Sequence, residues 1–499
     1  MKFTLVVSVA ACMLFSCCPV SAQSDSAPKG LSQMLNRSFA EKEAKPLSHG
    51  LTAEERQYIE NNFDEYLASK YGNSIPSVTA PGKLQAPAEW EAADGVIFGW
   101  QGYSNLLTKL IVFVSQDDKA FVVVDRANEI SSVKSRLVSA GAKEENLEFI
   151  THYLNSVWMR DYGPWFSYTS DGDINIIDLH YNRPRPSDDQ FPSALGEKYG
   201  IPSHVVDLIL PGGNFILDGH GVGIMTDVTF DPSQGGDPNL TMDQLNRFML
   251  DYFGVTKLII LRDMHQDGTG HVDMFCKLLN DTTFIVGQYA KPSDGASGNA
   301  AILDEAAERL SKETNGKGQP FKVFRIPMPP RSGGTTYTYT NSTICNNKVL
   351  VPVYGHDSQE AALNVYRKIL PGHEVKGFDC SDIIGANGAI HCITKLMMSD
   401  PIELSHNVPA TVNGESINFE VKVDSSELPA SVVLHFRTGD ETEFNEAVCD
   451  PGNKPGLFEV TVPSFDGSIE YWFDAQLDRG IKAVIPAGAD NGSKYFSVN

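Results

Sequence analysis

Cysteine is scarce in this chain, and its spacing carries no metal pattern. Eight cysteines occur among 499 residues. None forms a CxxC pair, so a zinc cluster is not expected. Three of them (Cys12, Cys17, Cys18) lie near the N-terminus, leaving Cys276, Cys345, Cys380, Cys392 and Cys449. That remainder is odd, so in an oxidising compartment at least one thiol stays unpaired or pairs between chains. Counting alone favours an inert buried thiol. A long Lys/Arg run is also missing, and the formal net charge is -23. Such a chain repels nucleic acid backbones and anionic membranes, and it would draw in a cationic substrate. Acidic surfaces serve solubility more often, so charge by itself decides little. No segment beyond the N-terminus is apolar enough to span a bilayer. Neither a GxGxxG after a strand nor a P-loop is present, so no nucleotide cofactor is supported.

What is present starts with an export signal. Lys2 opens a short basic region, and Leu5 to Phe15 is an apolar run too short to span a membrane. Val20-Ser21-Ala22 before Gln23 fits a small-residue cleavage site, which makes 1–22 a signal peptide. Leu14-Phe15-Ser16-Cys17 offers a rival reading as a lipoprotein box with Cys17 lipidated. Ordinary cleavage is favoured, because Phe is not the usual small or β-branched residue there. Either reading predicts an exported protein, in the periplasm, on the outer surface or secreted.

Length favours two or three domains. Residues 24 to about 48 are polar and read as a linker, and Leu51 to Tyr71 reads as a helix. Thr52-Ala53-Glu54-Glu55 has the form of a capping box, and Gly72-Asn73 is a plausible stop. Ser74 to Pro87 reads as a second connector. From Glu89 onward short apolar runs alternate with helical stretches. Gly95–Trp100, Ala120–Asp125, Leu147–Tyr153, Ile174–Tyr181, Leu258–Leu261, Thr283–Val286 and Val349–Val353 read as strands. Asn128–Ala140, Asn239–Phe253, Asn299–Glu313 and Gln359–Ile369 read as helices. Past Leu404 only short strand-like runs appear, broken by Gly, Pro, Asn and Asp, which predicts a small β-sandwich. Its turn Gly488-Ala489-Asp490-Asn491-Gly492 reads as ordinary turn chemistry rather than a calcium site. The expected division is 1–22 signal peptide, 23–85 linker and helical segment, 86–403 catalytic domain and 404–499 sandwich.

The chemistry-bearing residues are a thiol, an imidazole and two carboxylates. Cys392 lies in Gly388-Ala-Ile-His-Cys-Ile393. His271 and Asp273 lie two apart in Gly270-His-Val-Asp-Met-Phe275, a spacing that on a strand points both to one face. Asp161 lies in the aromatic stretch Trp158-Met-Arg-Asp-Tyr-Gly-Pro-Trp165 and needs a partner if buried. Arg160 is the local candidate, and a substrate guanidinium the functional one. A guanidinium is planar, cationic and resonance-stabilised. Hydrolysing it takes carboxylates that grip the plane through paired N–H···O contacts. It takes a nucleophile stronger than water, and a group that protonates the departing amine and then activates water. Taken singly, each residue also fits a buried polar pair or a metal ligand.

Together, Trp158-Met-Arg-Asp-Tyr-Gly-Pro-Trp165, Gly212-Gly-Asn214, Gly270-His-Val-Asp273, Tyr339-Thr-Asn341 and His391-Cys392 resemble the agmatine deiminase and bacterial peptidylarginine deiminase family of guanidine-modifying enzymes. The resemblance covers about residues 86 to 400. It implies an α/β fold: a five-bladed pseudo-symmetric α/β propeller (the pentein fold), followed here by an Ig-like β-sandwich. It implies Cys392 as nucleophile, His271 as general acid and base, Asp161 and Asp273 as the guanidinium grip, and Asn341 as support. Trp158 is expected to pack along the arginine stem. His391, at i–1 on a segment read as extended, is expected to point away.

Tyr181-Asn-Arg-Pro-Arg-Pro-Ser-Asp-Asp-Gln-Phe-Pro192 is similar to the secreted Porphyromonas-type branch. There two arginines receive the α-carboxylate of a C-terminal arginine, and Arg183 and Arg185 match those positions. Prolines at 184 and 186 suggest an extended chain presenting two guanidinium forks. The rival is a pair of surface arginines bridging to Asp188 and Asp189. Two departures bear on peptide preference. Asp267-Gly-Thr-Gly270 stands where the Porphyromonas enzyme carries bulkier side chains, including a tyrosine, and Asn387 stands where it has a threonine. No further sorting domain is evident before Asn499. The expected reaction converts arginine, preferentially at a peptide C-terminus, to citrulline and ammonia through a covalent thiouronium on Cys392, without metal or organic cofactor. The partners are then arginine-ending peptides or small guanidino compounds. Agmatine or free-arginine deimination, amidinotransfer from the same site, and a non-catalytic binding protein are the competing readings.

Overall fold

The computed structural model describes residues 46–71, 82–409, 416–425, 428–439, 441–463, 468–477, 481–486, 489 and 495–498. The signal segment with Cys17, the stop at Gly72-Asn73 and most of the 488–492 turn lie outside these residues.

Between residues 93 and 398 the chain builds five small mixed sheets of one design. The first contains β1 (Ala93–Gly99), β2 (Lys119–Val124) and β3 (Leu147–Thr151), and is completed by the distant β16 (Thr394–Met398). The second holds β4 (Trp165–Tyr168), β5 (Ile174–His180) and β6 (Ser203–Ile209), and the third β7 (Ile216–Leu217), β8 (Val222–Thr226) and β9 (Lys257–Leu261). The fourth holds β10 (Cys276–Asn280), β11 (Thr283–Tyr289) and β12 (Lys322–Met328), and the fifth β13 (Thr343–Cys345), β14 (Lys348–Val353) and β15 (Glu374–Asp379). In each, an opening strand pairs antiparallel with the central one, which pairs parallel with the next. A helix covers each parallel crossover, for example Met242–Phe253 between β8 and β9 and Gln359–Ile369 between β14 and β15. The central strands are continuous apolar runs because they are covered on both faces: Val96 to Phe98, Val122 to Val124 and Val349 to Val351 are all buried.

The C-terminal region is strand-rich, with no helix among its described residues. One sheet pairs Ile402–His406, Ile417–Ser425 and Leu457–Val462, and a second centres on Ser431–Thr438 against Ile469–Gln476. Inward residues of both sheets (Phe419, Val421, Leu434, Phe473) share one apolar cluster. The boundary expected after residue 403 falls inside strand Ile402–His406, which already belongs to this region. No helix of the described residues is long and apolar enough to cross a membrane.

The N-terminal segment departs from expectation. The single helix predicted over 51–71 is two, α1 (Ala53–Asn61) and α2 (Phe63–Tyr71). The chain turns at Asn62, whose side chain caps the Tyr58 carbonyl. The Thr52/Glu55 capping box is present in both directions. The end of the supposed polar linker is not a solvated tether: Pro46 to Ser48 are half-buried, and His49 and Gly50, which follow it, are buried.

Candidate active site

Each sheet places one candidate position, and the fourth sheet two, on the turn or loop that leads into its opening strand. Asp161 sits in the helical turn Met159–Tyr162 before β4, and Gly213 in the turn Gly212–Asn214 before β7. His271 caps the turn Val272–Met274, which carries Asp273, before β10. Asn341 lies just before β13, and Cys392 in the turn His391–Ile393 before β16. Residues dispersed through the chain are thereby brought to one hollow. The expectation of a strand under His271 and Asp273 fails, since a 3₁₀ turn presents them, but both still reach the hollow.

The convergence shows most directly at Gly213. A Cβ there would lie 2.7 Å from His271 Nδ1, 2.9 Å from Asp161 Oδ1 and 3.1 Å from Asp273 Oδ2. The Gly213 N–H donates to Asp161 Oδ1 at 3.1 Å, while His271 Nδ1 stands 3.6 Å from the same oxygen. Cys392 Sγ lies 3.8 Å from Asp273 Oδ2. Asn341 holds the thiol, its Nδ2–H donating to Sγ at 3.0 Å and its Oδ1 accepting from the Ala389 N–H at 3.2 Å. All of these residues are buried, as are the remaining described cysteines, and none is disulfide-bonded.

Burial raises the Cys392 thiol well above its ordinary range, and the Asp273 and Asp161 carboxylates push the same way. Burial pushes His271 down to about 4, with His49 and Arg183 adding to the fall against the pull of Asp161 and Asp273. The imidazole is therefore neutral at pH 7, and neither ring nitrogen has a hydrogen-bond partner among the described residues. Burial would raise Asp161, but His49, His271 and Arg183 outweigh it and hold the carboxyl below the usual range. The resting hollow thus contains a protonated thiol, a neutral imidazole free to take a proton, and an ionised carboxylate.

Trp158 is buried and stacks at 4.4 Å on the ring of His49. Arg183 and Arg185 are buried beside the hollow and are not the surface pair bridging to Asp188 and Asp189. Asp188 accepts from Asn155 and Ser156, and Asp189 pairs with Lys70. The arginine segment is bent rather than extended. The Arg185 N–H donates to the Arg183 carbonyl at 2.9 Å, and Pro186 starts a helical turn that the ring's fixed φ favours. Arg185 forks onto Glu55, Nε to Oε1 at 2.8 Å and Nη2 to Oε2 at 3.0 Å.

Two features escaped the sequence. His391 is on a 3₁₀ turn, not an extended segment, and it joins the site from behind. Its Nδ1 faces Asp273 Oδ2 at 2.6 Å and its Nε2 faces Glu89 Oε2 at 2.5 Å. Glu89 also binds Lys277 and Arg160, so a buried charged network fixes Asp273. Arg160, the local partner considered for Asp161, points into that network instead. The second feature is His49, whose Nε2 lies 2.5 Å from Asp161 Oδ2. Nothing in its polar surroundings marked it. Ligand-type atoms of His49, Asp161 and His271 lie within 4.8 Å of one another, a spacing open to a cation. Both His49 nitrogens already face oxygen acceptors, however, leaving no lone pair aimed at an ion.

A family model described as Porphyromonas-type peptidyl-arginine deiminase matches residues 85–397. A Legionella pneumophila protein named "Putative agmatine deiminase" is 23% identical over 341 residues, covering 62% of this chain and 93% of its own length. Among solved structures, the agmatine deiminase of Enterococcus faecalis superposes with a TM-score of 0.57 at 22% identity, over 65% of this chain and 98% of that one. One titled "Putative Arginine Deiminase" from Porphyromonas gingivalis gives a TM-score of 0.56 at 22% identity, over 63% and 98%. The mixed α/β fold is thus that of the guanidino-group deiminases, and the chain belongs to the Porphyromonas-type peptidyl-arginine deiminase family.

Proposed function

We propose that this protein hydrolyses the guanidinium of an arginine whose α-carboxylate is free, at a peptide C-terminus by preference, giving citrulline and ammonia. One observation carries the substrate choice: two buried guanidinium groups stand beside the hollow, and one of them already holds a carboxylate, that of Glu55. A substrate carboxylate suits those forks. Agmatine has none, and would leave Arg183, which donates to carbonyls alone among the described residues, without an anion. We further propose that the five sheets form a pseudo-symmetric propeller, that the region from Ile402 onward is an Ig-like sandwich, and that the chain is exported.

In this reading Asp161 and Asp273 hold the guanidinium plane, with Trp158 along the aliphatic stem. The arriving cation offsets the two carboxylates that keep the Cys392 thiol protonated, so its proton passes to neutral His271. Sγ attacks the guanidinium carbon while Asn341 steadies the sulfur. His271 returns the proton to the departing nitrogen, ammonia leaves, and a thiouronium remains on Cys392. Water then gives a proton to His271 and adds as hydroxide to the same carbon; the C–S bond breaks, Sγ regains its proton from His271, and the hydroxyl proton passes to solvent as citrulline forms. Water as acceptor distinguishes this from amidinotransfer to an amine.

The test is citrulline release from a peptide ending in arginine, a peptide with internal arginine, free arginine and agmatine. Because His49 occupies the hollow, the His49→Ala chain is assayed beside the unaltered one. The C-terminal arginine peptide should have the highest kcat/KM. Preference for agmatine would refute the substrate assignment and leave the deiminase chemistry standing.

A further inference from the structure

The segment Pro46 to Glu55 occupies the hollow in the way a substrate would. His49 presents a planar ring with one nitrogen on Asp161 at 2.5 Å and the other on the Asn387 carbonyl at 2.8 Å. The flat ring thus lies edge-on between the Asp161 carboxylate and the Asn387 carbonyl. It stacks on Trp158, and its centroid lies 5.3 Å from that of His271. Six residues later Glu55 puts its carboxylate on Arg185. Arg183 is held by the same segment, its Nε–H donating to the His49 carbonyl at 3.2 Å. A planar ring on Asp161 and a carboxylate on Arg185 stand where the two ends of an arginine would.

The segment is built into the surface it covers. Trp158 Nε1–H donates to the Leu47 carbonyl at 2.9 Å, Arg185 Nη2–H to the Ser48 carbonyl at 2.8 Å, and the His49 N–H to the Ala386 carbonyl at 3.0 Å. Gly50 fits tightly: a Cβ there would lie 2.7 Å from the Gly268 carbonyl oxygen. Asn387 takes a left-handed φ of 71° and turns its carbonyl to His49. Gly268 also packs on Asn387, where a Cβ would lie 2.4 Å from Asn387 Cγ, so the contacts to Gly50 and His49 fall on one spot.

We propose that residues 46–55 are an internal inhibitor, seating His49 in the guanidinium site and Glu55 on the carboxylate site, so that turnover requires this strap to leave. The inference rests on the deiminase reading of the hollow. A tethered occupant competes at a high effective concentration, so free substrate meets only the fraction of molecules whose strap is open.

The test uses the full chain, with His49→Ala and Glu55→Gln variants; the latter keeps a side chain able to complete the capping box while removing the charge from Arg185. Two readouts are taken: the rate of Cys392 alkylation by iodoacetamide, followed by peptide mass, and kcat/KM for citrulline release. Thermal unfolding identifies the folded variants. Both readouts should rise by about tenfold or more in each folded variant, as expected if the strap is closed most of the time. Unchanged alkylation in both overturns the proposal, whether or not citrulline forms. Faster alkylation without citrulline from any substrate supports the strap and refutes the deiminase reading. A folded His49→Ala chain with reduced turnover would make His49 a catalytic ring and overturn the proposal.

Discussion

Gly213 is the floor on which the proposed catalytic groups meet, and its replacement by alanine is the sharpest perturbation of their geometry. The added methyl would stand 2.7 Å from His271 Nδ1, whereas ordinary contact begins near 3.4 Å, so something must move by about 0.7 Å (3.4 − 2.7). Asp161 Oδ1 at 2.9 Å and Asp273 Oδ2 at 3.1 Å are crowded by the same atom, so the strain cannot be relieved by shifting one side chain alone. Overpacking of this kind costs about 1–3 kcal/mol of stability. Misplacement of reacting groups by about 1 Å costs on the order of 100-fold in rate. Gly213→Ala should therefore stay folded, with a melting temperature lower by a few degrees, while kcat/KM for citrulline release falls roughly 100-fold. The assay compares it with its parent chain, both carrying His49→Ala. Parent-level turnover in the folded variant would refute the claim that His271, Asp161 and Asp273 act from these positions.

Other outcomes follow from the same geometry. In the His49→Ala background, Arg183→Ala and Arg185→Ala should raise KM for a C-terminal arginine peptide by about tenfold or more while changing agmatine turnover little; equal losses on both substrates would contradict the carboxylate assignment. Asn341→Ala removes the donor to Cys392 Sγ and the acceptor for the Ala389 N–H, so kcat should fall by about tenfold or more, and unchanged kcat would remove Asn341 from the mechanism. Burial, first among its causes, holds His271 at about 4, below the ordinary value near 6.5. Between those values the unfolded chain binds a proton that the folded chain refuses, so stability falls as pH drops from about 6.5 toward 4. His271→Gln cannot titrate and should lose stability less steeply over that window in denaturant melts; an equal slope would show that His271 is not buried in its neutral form.

Much of the fold was legible because central strands and covering helices carry strong periodic signals. Ala120–Val124 and Val349–Val353 are continuous apolar runs, and helix Gln359–Ile369 was delimited to the residue. The opening strands were not, nor were the central strand Val222–Thr226 and the edge strands Ser203–Ile209, Lys322–Met328 and Glu374–Asp379, although the edge strands Leu147–Thr151 and Lys257–Leu261 were. Ile216–Leu217 has two residues, Thr343–Cys345 has three, and Lys322–Met328 is half-exposed, so none offers a run long or apolar enough to read. Asp161, His271, Asp273, Asn341 and Cys392 were found through their combined order, a property of the whole chain rather than of any one segment. Glu89 and His391 were missed because their partnership with Asp273 depends on a turn that periodicity does not report. His49 was missed because a histidine in a polar stretch looks like a linker residue until the pocket that receives it is in view.

The most direct measurement is mass analysis of the chain quenched in acid during turnover of an arginine substrate, with the His49→Ala form used to keep the hollow open. The account predicts a thiouronium adduct on the peptide bearing Cys392, formed and lost at rates matching citrulline release, and absent from Cys392→Ala. Citrulline release that persists in Cys392→Ala would contradict it.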